Sequence, residues 1–472
     1  MRNFFALAPL VLTFAACAVT TNTTVPKLDL PAAAQTSPAE DLSQWWLRFN
    51  DPALNALIDR ALANNTDLKV AAARVDETAA QLRVARSELS PSMDASLGAA
   101  RRRSTERGSI PLPPGTPQIS NTFDAGVNIS YEVDLWGRVR SANRAALATL
   151  MASREARYGL QSSIAAQVAQ AYFNLLGLDR KVALTQQTLG TREQALNLQN
   201  KRLDAGSGGV LEVHQAEAER SALSASLPGL LNAQAQAERA LALLAGDSPR
   251  LIIEGKILRA ETLPSPPAVP AGLPSDLLAR RPDVRQAETV LAAADANVSE
   301  ARAHYFPAIT LTGSYGREST DLSNLFTNPA TIWSLAGSLV QPIFRLNEID
   351  AEVKAAQARR LQSEAAYVRT VQTAFKEAYD ALGSLRGAAD AETAQTQRAN
   401  ALRETLRISQ LRFDAGLSAY LEVLDAQRNL LTTESDLITS QTEQLSATVD
   451  VFRALGGGWR DDTQQTITKS SY

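Results

Sequence analysis

Two periodicities divide this chain. Phe123, Ala125, Val127, Ile129, Tyr131 and Val133 alternate with Asp124, Gly126, Asn128, Ser130 and Glu132. Ile309, Leu311, Gly313 and Tyr315 alternate with Thr310, Thr312 and Ser314. Trp333, Leu335, Gly337 and Leu339 alternate with Ser334, Ala336, Ser338 and Val340, and Met93 to Ala99 is a weaker fourth case. A period of two predicts strands with one apolar face. The segments between them, Gly108 to Ser120 and Ser319 to Thr331, are rich in Pro, Ser, Asn and Thr and read as loops.

Elsewhere the pattern is helical. Pro52 to Glu88 and Pro282 to His304 predict moderate helices, ended by Pro91 and Pro307. Gly137 to Ala205 and Asn347 to Ala415 contain no Pro. Each predicts one continuous helix of about 65 residues, about 100 Å long at ~1.5 Å per residue. Val368, Val371, Phe375, Ala378, Leu382, Leu385 and Ala389 step as a heptad seam, with small residues suited to close helix approach. Returning helices are predicted over Leu211 to Leu244 and Tyr420 to Leu455. Gly206 and Gly416 stand where a left-handed residue would end each long helix. Each long helix and its return therefore form a hairpin with a tight tip.

The chain says this twice. RLDAGSGGVLEVHQAE (Arg202 to Glu217) registers without a gap on RFDAGLSAYLEVLDAQ (Arg412 to Gln427), 210 residues on. Thr66 to Pro91 registers on Pro282 to Pro307. The period is too long for a solenoid unit and marks two copies of one module: helix, two strands, long helical hairpin. The copies are assigned to 51–246 and 277–458. A Pro-rich joint at 247–276 carries Pro249, Pro264, Pro266, Pro267, Pro270 and Pro274.

Composition narrows the chemistry. A net charge of −3 over 472 residues offers no basic field for nucleic acid. The single cysteine, Cys17, excludes intrachain disulfides and Cys-based metal clusters. It follows Arg2, a short apolar core from Phe4 to Phe14, and the small pair Ala15-Ala16, which together predict a signal peptide over 1–16. The small-small-Cys ending resembles a lipoprotein processing site, with Phe14 in place of the usual Leu. It implies a covalent N-terminal lipid, such as palmitate, on Cys17, followed by a lipid-anchored extension over 17–50. Ala18 rather than Asp follows, which points to the outer membrane. No other apolar run reaches the length of a transmembrane helix. A membrane passage must then use a closed β-barrel. Membrane barrels have at least eight strands, usually an even number. At four strands per chain, two copies give eight and three give twelve. The fold expected is mainly α with a membrane β-barrel part.

Five stretches carry a family resemblance: QWWLRFNDPALNALIDRALANNTDLKVAAARV (Gln44 to Val75), YEVDLWGRVRSA (Tyr131 to Ala142), the RRPD-to-FP run from Leu277 to Gly316, VQPIFR (Val340 to Arg345) and ALGGGW (Ala454 to Trp459). In this order, across nearly all of the mature chain, they resemble the TolC-like outer-membrane channels. Within these, the chain resembles the NodT-type lipoproteins of tripartite resistance-nodulation-division (RND) efflux systems. The resemblance implies a homotrimer with a twelve-stranded β-barrel continued by a periplasmic α-helical barrel. It also implies a periplasmic adaptor (membrane fusion protein) and an inner-membrane RND transporter as partners. Arg345-Leu346-Asn347-Glu348 departs from the family's acidic-glycine-glycine turn. The polar tail from Arg460 to Tyr472 reads as flexible.

In such channels the periplasmic helix tips converge into a gate. The resemblance puts Leu421 and Asp425 on a hydrophobic and an acidic constriction ring. Glu422, three residues before Asp425, shares a helix face with it. Threefold carboxylate rings favour cations, and their mutual repulsion raises carboxylate pKa values. Glu212 repeats Glu422 in the first copy, but Gln215 replaces Asp425. Arg202, Asp204, Arg412 and Asp414 flank the tips as candidate latches between hairpins. The plain alternative for all of these is a solvated helix surface. Arg101-Arg102-Arg103 lies near a barrel rim and suits lipid phosphates or solvent equally. His214 reads as a surface residue and His304 as packing at the barrel–helix junction. No metal site or cofactor is expected. Neither a P-loop nor a G-x-S-x-G elbow is present, so the expected protein is a passive duct rather than an enzyme. A protein-secretion channel and a non-channel adaptor lipoprotein remain as alternatives.

Overall fold

The structure is a computed structural model, and it describes residues 25–26, 41–105, 113, 115–269 and 280–459. The predicted signal peptide, Cys17, part of the Pro-rich joint and the tail 460–472 lie outside the described residues. A short 3-10 helix, Trp45–Phe49, precedes α1 (Pro52–Asn64) and α2 (Thr66–Ser87). Then come β1 (Ser92–Arg103), β2 (Ile119–Glu132), α3 (Arg138–Asp204), α4 (Val210–Leu244) and α5 (Pro249–Glu254). The second copy supplies α6 (Pro282–Ala303), β3 (Ala308–Ser319), β4 (Thr331–Val340), α7 (Leu346–Asp414) and α8 (Tyr420–Ala454). The duplication is matched in length: α3 and α7 have 67 and 69 residues, and α4 and α8 have 35 each.

The chain forms two compact units, each drawing on both copies. Within the described residues, one draws on 75–153 and 287–367; the other draws on 41–74, 154–286 and 368–459.

The first unit holds an antiparallel sheet in the order β1-β2-β3-β4. Its register sorts the side chains by polarity. Met93, Ile129, Gly313 and Leu335 form one row, and Ala95, Val127, Tyr315 and Trp333 the next on the same face. Asp94, Asn128, Ser314 and Ser334 form a row on the other face, where the Ser314 and Ser334 hydroxyls lie 2.8 Å apart. The apolar face is uncovered, with Trp333 75% and Leu335 81% exposed. A soluble sheet would bury such a face.

The strands run further than alternation predicted. Pairing extends β1 through Arg101–Arg103 and starts β2 at Ile119, because the two segments face each other in register. The predicted helix 52–88 is instead two. Asn65 interrupts it: its Oδ1 accepts from the Asp67 and Leu68 amides, and its Nδ2 donates to the Leu244 carbonyl at 2.9 Å. A side chain that caps the following helix competes with helix continuation.

The second unit has the main core. Trp45 is fully buried and stacks on Phe452 at 5.6 Å between centroids. Phe49 packs on both Phe173 and Phe452. Asp51 caps α1 and also accepts from the Tyr172 hydroxyl at 2.7 Å. That hydroxyl in turn accepts from the Ala260 amide, tying the segment after α5 to α3. Burial raises the Tyr172 phenol well above its ordinary range. Part of the predicted heptad seam is buried: Val371 and Ala378, joined by Ala374 and Ala381, with Ala378 and Ala381 packing on Val451 and Ala454. Small side chains there allow close helix approach.

Candidate functional site

The two hairpin tips are built alike. Gly206 and Gly416 have φ of 71° and 72°, the left-handed conformation that stops α3 and α7. At each, the next amide reaches back five residues: Ser207 donates to the Arg202 carbonyl, and Leu417 to the Arg412 carbonyl, both at 2.8 Å. The chain then re-enters a helix at Val210 and Tyr420.

On α8 the buried and exposed faces are distinct. Val423 and Leu424 pack with Tyr420 and Ala216, backed by Leu196, Leu406 and Phe413. Leu421, 55% exposed, and the exposed Glu422 and Asp425 lie on the opposite side. Asp425 accepts from Asn429 Nδ2 at 3.1 Å, one turn along the same helix. In the first copy the corresponding Glu212 and Gln215 are half-buried, so the two tips present different surfaces.

Of the four flanking charges the structure joins two. Arg202 Nη2 donates to Asp414 Oδ1 at 3.3 Å, and its guanidinium lies 5.2 Å from the Phe413 ring centre. Asp204 and Arg412 are exposed and enter no ion pair among the described residues. His214 is exposed beside Glu217, and Arg101, Arg102 and Arg103 are exposed at the end of β1. His304 lies 3.4 Å from Glu352 beside a cavity of about 450 Å³. Trp136 and Phe306 stack in the same cavity wall.

A second tie sits deeper in the hairpins and was not anticipated from the sequence. Arg192 on α3 is only 3% exposed. It donates to Gln427 Oε1 on α8 and lies 3.9 Å from Glu219 on α4. Glu219 also accepts from Arg428 Nε at 2.7 Å. Burial pushes the Arg192 guanidinium below its ordinary pKa, opposed by Glu219. Glu219 pulls Arg428 upward. Three helices from both copies thus meet on one carboxylate. No periodic signal marks Arg192, because a lone Arg in a long polar helix looks like a surface residue.

Among the described residues no helix is long and apolar enough to cross a membrane, and no His, Cys, Asp or Glu group could hold a metal. The family described as outer membrane efflux protein matches residues 57–247 and 273–457. The chain belongs to that family. It is similar to the probable efflux pump outer membrane protein TtgC of Pseudomonas putida, at 35% identity over 446 residues, covering 93% of this chain and 91% of the relative. Outer membrane protein OprJ of Pseudomonas aeruginosa is 35% identical over 432 residues, 91% of this chain and 89% of its own. The Campylobacter jejuni CmeC outer membrane channel superposes with a TM-score of 0.89 at 26% identity, over 96% of this chain and 98% of that one. The open state of the Neisseria gonorrhoeae MtrE outer membrane channel gives 0.83 at 31% identity, over 95% and 100%. This family member has the TolC-type channel fold and is an outer-membrane efflux component, not an enzyme.

Proposed function

We propose that three copies of this chain close a twelve-stranded barrel and form the exit duct of a tripartite pump. Small molecules such as drugs or solvents are handed over by a periplasmic adaptor and an inner-membrane RND transporter and leave passively. A lipid on Cys17 anchors each copy at the outer membrane. The observation that carries this reading is the sheet. Its apolar face is exposed, its opposite face is polar, and the edges of β1 and β4 are unpaired among the described residues. Lipid tolerates no open edge. Head-to-tail pairing of β4 with the next copy's β1 removes every edge at once.

The helix tips form the gate in this reading. Leu421 supplies an apolar ring, and Asp425 with Glu422 supplies the acidic one. Arg202–Asp414 and the Arg192–Glu219–Arg428 cluster tie the first hairpin to the second and favour the closed arrangement. Asp204 and Arg412 are left for contacts outside the single chain. Planar-bilayer conductance of the purified channel tests the ring. Asp425→Ala is expected to raise conductance and weaken cation preference. An unchanged conductance and selectivity would move the constriction elsewhere.

A further inference from the structure

The sheet segregates its charges by face and by end. On the apolar face every charged residue is an arginine: Arg101 and Arg103 of β1 and Arg317 of β3. No carboxylate of the strands shares that face. Asp94, Asp124, Glu132 and Glu318 all lie on the polar face, together with Arg102. The three apolar-face arginines also sit toward one end. The chain joins helices at the Ser92, Glu132, Ala308 and Val340 end, and the arginines lie toward the loop end.

In register Arg317 stands beside Ala125 and Leu97, four residues short of Arg101, so each arginine's height is counted from the helix end of its own strand. Arg101 stands eight residues beyond Met93, and Arg317 eight beyond Ile309. At ~3.4 Å per residue that is about 27 Å along the strand, or about 21 Å along the membrane normal at a tilt of ~40°. Apolar bands of such barrels are ~25 Å tall, so these arginines stand near the band's outer margin. Tyr315 and Trp333 pair across β3 and β4 one row below Arg317, and Phe123 lies on the same face. Aromatic residues at that level are typical of the membrane–water boundary. An arginine on the lipid face is costly at mid-membrane and nearly free at the margin.

The guanidinium groups retain binding capacity. Arg103 Nη2 donates to Gln118 Oε1 at 3.3 Å, and Arg317 Nη1 donates to the Thr327 carbonyl at 3.2 Å. Each contact uses one of five N–H donors. Among the described residues none of the three is paired with a carboxylate. We infer that Arg101, Arg103 and Arg317 form a docking surface for the phosphate groups of outer-leaflet lipid. The inference rests on the barrel reading, in which the apolar face is turned to lipid and the loops face outward. Guanidinium suits it because it binds phosphate bidentately and carries a long apolar stem through the acyl margin. Repetition in three copies makes a belt around the barrel.

Native mass spectrometry of the detergent-extracted full chain tests this with a bisphosphorylated glycolipid, lipid A, and its dephosphorylated form. The wild-type oligomer should retain the phosphorylated lipid at least about tenfold better than R101Q/R103Q/R317Q, since the variant loses every charge-assisted hydrogen bond from these guanidinium groups to phosphate. The dephosphorylated lipid should not discriminate between them. R102Q, a neighbouring charge on the opposite face, should retain lipid as wild type does. Excess inorganic phosphate should not displace the lipid. Equal retention by the triple variant, loss of retention in R102Q, or displacement by inorganic phosphate would each overturn the inference. If the triple variant does not assemble, R317Q and R101Q/R103Q replace it in the same assay: reduced retention of the phosphorylated lipid by each is expected, and wild-type retention by both would overturn the inference. Failure of the wild type to form an oligomer would instead contradict the barrel reading itself.

Discussion

Replacing Glu219 with Ala should loosen the hairpin tips far more than replacing Arg192 with Met. The asymmetry comes from burial. Arg192 is 3% exposed, and Glu219, 3.9 Å away, is the carboxylate paired with it. Glu219→Ala leaves that cation buried with only the neutral Gln427 as partner. An uncompensated buried charge costs ~3–5 kcal/mol. The long Arg192–Glu219 separation favours the lower end, about 3 kcal/mol, a little over a hundredfold in an opening equilibrium. Arg428 also loses its partner, but its side chain is exposed, and exposed pairs contribute ~1 kcal/mol or less.

Arg192→Met removes the charge and keeps much of the volume. Glu219 retains Arg428, and the main loss is the donor to Gln427. That costs about 1 kcal/mol, roughly fivefold. Hydrogen exchange by mass spectrometry, on peptides covering 188–199, 213–223 and 420–431, reads both variants. Arg192→Met/Glu219→Ala should exchange more slowly than Glu219→Ala alone, because it contains no stranded cation. Equal effects of the two single variants, or additive effects in the double, would mean that no stranded Arg192 cation governs tip opening.

The tip and the far turn should respond differently to a methyl group. Gly206→Ala meets nothing within 4 Å and costs only the left-handed penalty of ~1–2 kcal/mol. Gly246→Ala places its Cβ 2.6 Å from the Asn64 carbonyl group, adding ~1–3 kcal/mol of overlap, so its Tm should fall further. The start of α7 should depend on pH. The hydrogen bond from Arg345 holds Glu348 below its ordinary value. This contribution is present above the unfolded carboxylate pKa and is lost as pH falls through the folded one. Exchange around Pro342–Val353, corrected for intrinsic rates, should therefore increase between about pH 6 and about pH 3. Glu348→Gln should remove that change.

Much of this fold was legible in the sequence because its elements are long and repeated. Pro91 and Pro307 end helices, and Gly206 and Gly416 stop them, for backbone reasons that hold in any context. The strands were legible where polarity alternates. Arg101-Arg102-Arg103 has no alternation, so only pairing with Ile119–Asn121 made that segment a strand. Asn65 was missed because its capping role depends on the distant Leu244 carbonyl. At the tips, the exposed face of Leu421, Glu422 and Asp425 follows from helix geometry. The Arg192–Glu219–Arg428 cluster does not, since it needs the lateral order of three helices. The copies also do not register there: Glu219 aligns with Asn429, and Arg428 with Ala218.

Four strands per chain make a barrel only by assembly. Sedimentation equilibrium of the mature lipidated protein, in density-matched detergent, measures this directly. Three chains per particle is the predicted mass, giving twelve strands and no free edge. A stable monomer would leave the β1 and β4 edges open to lipid and would contradict the duct.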